Sequence, residues 1–284
     1  MIVVGTRGSA LALAQARIVA EALGDAEIRV LRTAGDASER PIRELGDGVF
    51  VTAIEDALRR GDIDLAVHSL KDLPTADAPD LVVAAVPQRE DPRDVVITQA
   101  RGGLADLRAG ARVGTSSPRR AAFLGALVPG IVAAEIRGNV DTRLRKVSDG
   151  RYDAAVLAAA GLRRLGIAFD AREALSLEQC PPAPGQGALA IQTRADDPLR
   201  ERVRQALDDE DTHRAVDAER ALLRLMGASC DLALGCHARW DGRTLVLDAA
   251  LAEGGTVRRA SARGDAPETV AGGVAAALGV VAHA

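Results

Sequence analysis

One short stretch sets a hydroxyl, a cation and a carboxylate within four residues of one another. In Asp64-Leu65-Ala66-Val67-His68-Ser69-Leu70-Lys71-Asp72-Leu73-Pro74-Thr75, an apolar run ends in Ser69, Lys71 and Asp72. A carboxylate at such a place can move protons or stabilise a developing cation. Lys71 can take a carboxylate, and it is one of only two lysines, with Lys146, in a chain that otherwise uses arginine. Ser69 followed by Asp72 also fits the capping box of a helix start. Pro74 opposes that reading, because it removes a needed N–H and pushes Leu73 out of the α region. The stretch therefore reads as a loop after a buried strand, which is where α/β proteins gather their chemistry.

Arginines sit at the unfavourable end of several predicted helices. In Gly114-Thr115-Ser116-Ser117-Pro118-Arg119-Arg120, Ser117 is an N-cap and Pro118 takes the first helical position. Arg119 and Arg120 then lie at the positive end of the helix dipole and call for an anion. Arg7 precedes a helix capped by Ser9, and Arg137-Gly138-Asn139 precedes the helix carrying Arg143. A single such arginine is more often a surface ion pair. Three of these helix starts together point to a cleft that holds a multiply charged anion, since helix N-termini and guanidiniums both favour carboxylate or phosphate. No G-x-x-x-x-G-K-[ST] loop is present, which weakens a nucleotide reading.

The cysteines are Cys180, Cys230 and Cys236. Their small, odd number does not make a disulfide framework. Cys230 lies among small residues, Gly227-Ala228-Ser229-Cys230-Asp231, where a thiol can be nucleophilic, although a lone cysteine is more often buried filler. Cys230, Cys236 and His237 match no common zinc spacing, so no metal is expected. Cys180 beside Pro181 reads as structural.

The elements that must position these groups alternate as in an α/β protein. Strands are predicted at residues 1–4, 28–31, 63–67 and 81–86, with helices at 10–23 and 50–60 and a turn at Gly5 to Ser9. From Asp94 the same grammar restarts, with strands near 95–97, 112–113, 131–136 and 154–157 and helices at 118–127, 140–147 and 158–165. Arg89 to Arg93 and the proline-rich segment 180–185 read as paired crossings between two such domains, and 188–193 as a strand returning to the first. A long helix at 211–226 precedes strands at 232–240, 244–251 and 256–262, joined at Asp241-Gly242 and Gly254-Gly255, and a closing helix at 266–278. The domains are thus 1–88 with 188–207, 93–182, and an α+β part at 211–284.

Composition excludes several classes. The 284 residues carry a net charge of −4 and only 2% aromatics, so neither a basic face nor stacking platforms suit a nucleic-acid binder. No stretch approaches the length of a membrane span, and residues 1 to 30 lack the pattern of an export signal, so a cytoplasmic protein without membrane partners is expected.

Together the motifs resemble the porphobilinogen deaminase (hydroxymethylbilane synthase) family. The carrying segments are Gly5 to Ser9, Ala66 to Pro74, Arg89 to Asp94, Val113 to Arg120, Ile136 to Leu144 and Pro184 to Ala188, in family order. The resemblance implies two domains like those of type II periplasmic binding proteins around a cleft, plus a small C-terminal domain with an antiparallel sheet, in a monomer. It implies an enzyme that joins four porphobilinogen molecules into hydroxymethylbilane with release of ammonia. It further implies a dipyrromethane cofactor held by thioether to Cys230, against the filler reading of that thiol. Asp72 then matches the catalytic aspartate. Lys71, Ser69, Asp72, Thr115, Ser117, Arg119 and Arg120 match cofactor contacts. Arg7, Ser9, Gln15, Arg137, Arg143, Arg164, Gln186 and Phe50 match substrate contacts.

Each pyrrole carries an acetate and a propionate, which gives the arginines a ligand. Two departures stand out: Asp47 occupies the place of a family lysine, and Ala233-Leu234 stand where a proline often follows the cysteine loop. The competing reading is a non-catalytic binding protein of the same fold for a polycarboxylate or oxyanion. A regulator's effector domain is a further one, but no helix-turn-helix segment accompanies it.

Overall fold

The structure is a computed structural model that describes residues 1–33, 48, 51–76, 78–227 and 232–279. Cys230, Phe50 and Asp47, each singled out above, lie outside the described residues. The chain divides into two compact units, Met1–Glu90 with Ala188–Arg214, and Asp91–Gly187 with Ala215–Ala284.

In chain order the first unit begins with strand β1 (Ile2–Arg7), helix α1 (Ala10–Leu23), strand β2 (Ala26–Leu31), helix α2 (Thr52–Arg59), strand β3 (Leu65–Ser69) and strand β4 (Leu81–Ala85). The second holds β5 (Asp94–Thr98), β6 (Arg112–Gly114), helix α3 (Pro118–Leu127), β7 (Val132–Ala134), helix α4 (Val140–Ser148), β8 (Ala154–Ala158) and helix α5 (Ala159–Arg164). The chain then returns through β9 (Leu189–Arg194) and helix α6 (Leu199–Leu207) to the long helix α7 (Glu210–Leu225), within which the second unit resumes. It ends with β10 (Leu234–Asp241), β11 (Thr244–Glu253), β12 (Thr256–Gly264) and helix α8 (Pro267–Ala277).

The two main sheets share a strand order. In the first unit it is β2-β1-β3-β9-β4, with β1 parallel to β2 and β3, and β9 antiparallel to both of its neighbours. In the second it is β7-β6-β8-β5, with β6 parallel to β7 and β8, and β5 antiparallel to β8. In each case the antiparallel strand is the one on which the chain enters the unit from the other. Two α/β units with one repeated strand order, beside a small antiparallel sheet, accord with the fold class that the resemblance implies.

The apolar runs read from the sequence fill these sheets. Val4, Leu65, Val67, Leu189 and Ile191 pack with Ala16 and Val19 of α1, and Val96, Val113, Ala154 and Val156 pack with Phe123 and Leu124 of α3. With so few aromatic residues, Phe123 is the only fully buried ring among the described residues, and aliphatic side chains supply the rest. The antiparallel sheet β10-β11-β12 is covered by α7 and α8 through Leu222, Leu247, Val270 and Val274. Its second turn needs positive φ at both central residues, and Gly254 (φ 55°) and Gly255 (φ 80°) provide it.

Boundaries shift where local signals were misleading. Strand β1 continues through Gly5 and Thr6 to Arg7, which the reading placed in a turn, because parallel pairing with β2 runs its whole length. Helix α6, missed in the sequence, has a charged outer face and buries only Val203.

Candidate active site

Strand β3 delivers the opening stretch to the surface of the first unit. It is buried from Leu65 to His68, and its end is pinned where the Leu70 N–H donates to the Ala188 carbonyl at 3.0 Å. Leu70–Asp72 then form a single 3₁₀ turn, closed by the Leu73 N–H to the Leu70 carbonyl at 3.1 Å. Leu70 anchors the turn, 1% exposed, while Lys71 and Asp72 face outward. The capping-box alternative is excluded, since Ser69 caps nothing. Its hydroxyl instead meets the buried Gln15 of α1, with Gln15 Nε2 2.9 Å from Ser69 Oγ.

Helix α1 brings the second half of the site. Ser9 caps it as expected, its Oγ accepting from the Ala12 N–H at 3.2 Å. An open cavity results, lined by Arg7, Ser9, Gln15, His68, Ser69 and Asp72 among others. Five of these six were singled out in the sequence, and His68 was not. Val51, the residue after Phe50, also lines it.

The second unit is organised around a residue that sequence reading passed over. Asp94, fully buried at the start of β5, takes Arg119 NH2 on Oδ2 at 2.7 Å and Arg120 NH2 on Oδ1 at 2.6 Å. Burial alone would raise the Asp94 carboxyl, but the charges of Arg119 and Arg120, with their hydrogen bonds, hold it far below the usual carboxylate range. The anion that the start of α3 called for is therefore the chain's own carboxylate. Arg119 also donates to the Pro181 carbonyl at 2.5 Å, and Arg120 to the Val156 carbonyl at 3.1 Å. Gln186, 1% exposed, donates to Asp94 Oδ1 at 2.9 Å and to the Pro92 carbonyl at 2.7 Å. The signal for Asp94 was present: an acid opening a strand that is buried on both faces needs cations beside it.

The other predicted residues of this unit fall nearby in the sequence but make different contacts. Ser117 caps α3 through the Arg120 N–H at 3.4 Å, and Thr115 Oγ1 accepts from the Ser117 N–H at 3.1 Å. Arg143 donates through Nε to the Gly138 carbonyl at 2.8 Å, and Arg164 to the Gly187 carbonyl at 2.7 Å. Arg164 lies in the last turn of α5, so it is not a further arginine at a helix start. Arg137 approaches Glu135 at 3.5 Å and keeps one guanidinium NH2 buried with no hydrogen-bond partner. Glu219 of α7, fully buried, accepts from the Gly185 N–H at 2.7 Å and the Ala238 N–H at 2.8 Å, which fixes the segment before Gln186.

Two described thiols are structural. Cys236 is buried within β10. Cys180 is buried beside the Asp94 cluster, where burial and then the Asp94 charge push its thiol up to about 12. It stays protonated and is no nucleophile at neutral pH. Among the described residues no cluster of His, Cys, Asp and Glu could hold a metal ion.

A family model described as porphobilinogen deaminase, dipyromethane cofactor binding domain, matches residues 2–202. The chain belongs to the porphobilinogen deaminase family. A porphobilinogen deaminase of Mycobacterium leprae is 51% identical over 243 residues, covering 84% of this chain and 77% of the relative. One from Roseiflexus sp. (strain RS-1) is 45% identical over 285 residues, covering 97% and 94%. Among solved structures, lipoprotein Tp32 from Treponema pallidum aligns with 80% of this chain and 94% of its own, at 17% identity and a TM-score of 0.47.

As a porphobilinogen deaminase the chain is an enzyme with a dipyrromethane cofactor, and its donor set suits that group. In the first unit's cavity the Arg7 guanidinium is of a kind to take the carboxylates of such a group and the Asp72 carboxylate its pyrrole N–H groups. No helix among the described residues is long and apolar enough to cross a membrane.

Proposed function

We propose that Asp72 is the carboxylate at the reacting centre of this porphobilinogen deaminase. The reaction joins four porphobilinogen molecules head to tail with release of ammonia at each addition, and one water cleaves the finished chain from the cofactor as hydroxymethylbilane. The single observation that carries the reading is the cavity of the first unit, which gathers Arg7, Ser9, Gln15, Ser69 and Asp72 from two separate stretches of chain.

Loss of ammonia from porphobilinogen leaves an electron-poor, cationic pyrrole on the substrate. The Asp72 carboxylate stabilises that charge and takes up and returns protons between additions. Arg7 binds substrate carboxylate, with Ser9, Gln15 and Phe50 as supporting contacts. Lys71, Ser69, Thr115 and Ser117 hold the cofactor. Arg119 and Arg120 with Asp94 leave a net charge of +1 in their cluster, which attracts cofactor carboxylates. Arg137, Arg143, Arg164 and Gln186 complete the binding of the lengthening chain.

When bound, dipyrromethane supplies the pyrrole carbon onto which substrate is added. Its attachment by thioether is assigned to Cys230, the position that the family resemblance implies, and the burial of Cys180 and Cys236 accords with that. The reading comprises three domains, at 1–88 with 188–207, 93–182 and 211–284, in a cytoplasmic monomer without nucleic-acid or membrane partners.

The test is a steady-state assay of porphobilinogen with the purified holoenzyme, following ammonia and tetrapyrrole together, beside intact mass under denaturing conditions. Hydroxymethylbilane formed by a chain heavier than its sequence by one dipyrromethane is the expected result. A chain of bare mass, colourless with Ehrlich's reagent and unable to turn over porphobilinogen after exposure to it, favours the binding protein instead.

A further inference from the structure

The stretch that supplies Asp72 also carries His68, whose side chain the mechanism above does not use. His68 is 6% exposed and lines the same cavity as Arg7, Gln15 and Asp72. In the antiparallel register of β3 and β9, His68 lies opposite Ala190. Gln192, two residues along β9, therefore shares its face of the sheet as a diagonal neighbour.

His68 Nε2 is 3.1 Å from Gln192 Oε1, and Gln192 Nε2 donates to Glu55 Oε1 of α2 at 2.9 Å. The chain of three groups has only one consistent proton arrangement. The Glu55 carboxylate, also 3.7 Å from Arg59, accepts and so turns the amide N–H₂ of Gln192 toward itself. The amide oxygen is then left for His68, which must donate from Nε2. Burial, opposed by the Gln192 bond and aided by the charge of Arg7, lowers the His68 pKa to about 4 and keeps the ring neutral. Nδ1 consequently carries a lone pair.

We propose that His68 is a further substrate-contacting residue, whose Nδ1 accepts a hydrogen bond from an N–H group of the pyrrole substrate in the cavity it shares with Asp72, and that Gln192 and Glu55 are positioning residues that fix its tautomer. This rests on the reading of that cavity as the substrate site. A pyrrole with acidic side chains brings two kinds of group to be matched. Arg7, Ser9 and Gln15 offer donors for the carboxylates. The N–H groups need acceptors, and among the residues that line the cavity Asp72 offers a charged one and His68 a neutral ring nitrogen, while Ser69 and Gln15 are engaged with each other. A neutral acceptor is suited to this place, because a second carboxylate would repel the first.

The experiment is nitrogen NMR of the holoenzyme labelled with ¹⁵N-histidine, before and after porphobilinogen. The chain has four histidines, and the pair of signals lost in His68→Asn identifies the ring. The expected result is an unprotonated Nδ1 and a protonated Nε2, with porphobilinogen moving the Nδ1 signal and leaving Nε2 an N–H. Gln192→Leu is expected to mix the two tautomers and to lower kcat about tenfold with KM changed less than about twofold, the weight of one hydrogen bond. A protonated Nδ1, or one that porphobilinogen does not move, overturns the contact. Native tautomer and wild-type kcat in Gln192→Leu overturn the relay. The wild-type spectra decide the contact even if a variant fails to fold. An unmoved Nδ1 in an enzyme that still turns over porphobilinogen contradicts this inference alone, whereas no turnover at all contradicts the reading beneath it.

Discussion

Gln15 Nε2 and Ser69 Oγ lie 2.9 Å apart, so helix α1, capped by Ser9, is fastened to the end of strand β3, from which the turn carrying Lys71 and Asp72 follows. The bond joins residues 54 positions apart in the chain and is half buried. Both residues line the first unit's cavity.

Breaking that fastening is expected to loosen binding more than stability. Gln15→Ala should cost about 1 kcal/mol in urea unfolding, as a partly buried hydrogen bond does. It should also raise KM for porphobilinogen several-fold. Unchanged KM in a folded Gln15→Ala protein would contradict the coupling.

The Asp94 cluster is expected to dominate the stability of the second unit. Asp94→Asn leaves Arg119 and Arg120, 4% and 8% exposed, facing a neutral amide. Removing one partner of such a buried pairing costs about 3–5 kcal/mol. Denaturant unfolding followed by a probe in that unit measures it, and a loss below about 1 kcal/mol would show that the cluster is not a structural centre.

Acid should destabilise the fold through His68. In the unfolded chain this ring takes up a proton near pH 6.5, and in the folded chain only near pH 4, because burial disfavours its charged form. Its contribution is therefore complete above pH 6.5 and lost as pH falls toward 4, to a total of about 3 kcal/mol. Urea midpoints at pH 7 and 4.5 should fall less steeply in His68→Asn than in the wild type. Equal slopes would contradict a buried neutral ring.

Cofactor attachment separates the three thiols. Cys230→Ser should have the mass of the bare chain, whereas Cys180→Ser and Cys236→Ser should keep the added dipyrromethane wherever they fold. A Cys230→Ser protein that still carries the added mass would move the tether elsewhere.

The two units differ in how much of them is legible in the sequence. Periodicity and turn residues showed the strand and helix order, because Val- and Ala-rich runs have one buried solution, and the glycine pairs of the hairpin have one turn geometry. Pro74 correctly argued against a helix at Asp72, although a 3₁₀ turn, which needs only one hydrogen bond, fits before it. Arg7, Ser9, Gln15, Ser69 and Asp72 could be named from motifs and do meet in one cavity.

Partners that depend on register were not legible. Nothing local shows that Gln192 sits diagonal to His68, since that follows from how β9 pairs with β3. Arg119 and Arg120 were read as awaiting an external anion, because the sequence gives no distance from them to Asp94, 25 and 26 positions away. Misplaced charge was visible, but its compensation was a matter of folding.

The most direct test of the account is the turnover of Asp72→Asn. The substitution keeps size and nearly keeps shape at an exposed turn, so the protein should fold and carry its cofactor by intact mass. Its kcat for ammonia release from porphobilinogen is expected to fall by at least about a hundredfold, the scale of a lost acid–base group. A folded, cofactor-bearing Asp72→Asn enzyme with near-normal kcat would contradict it.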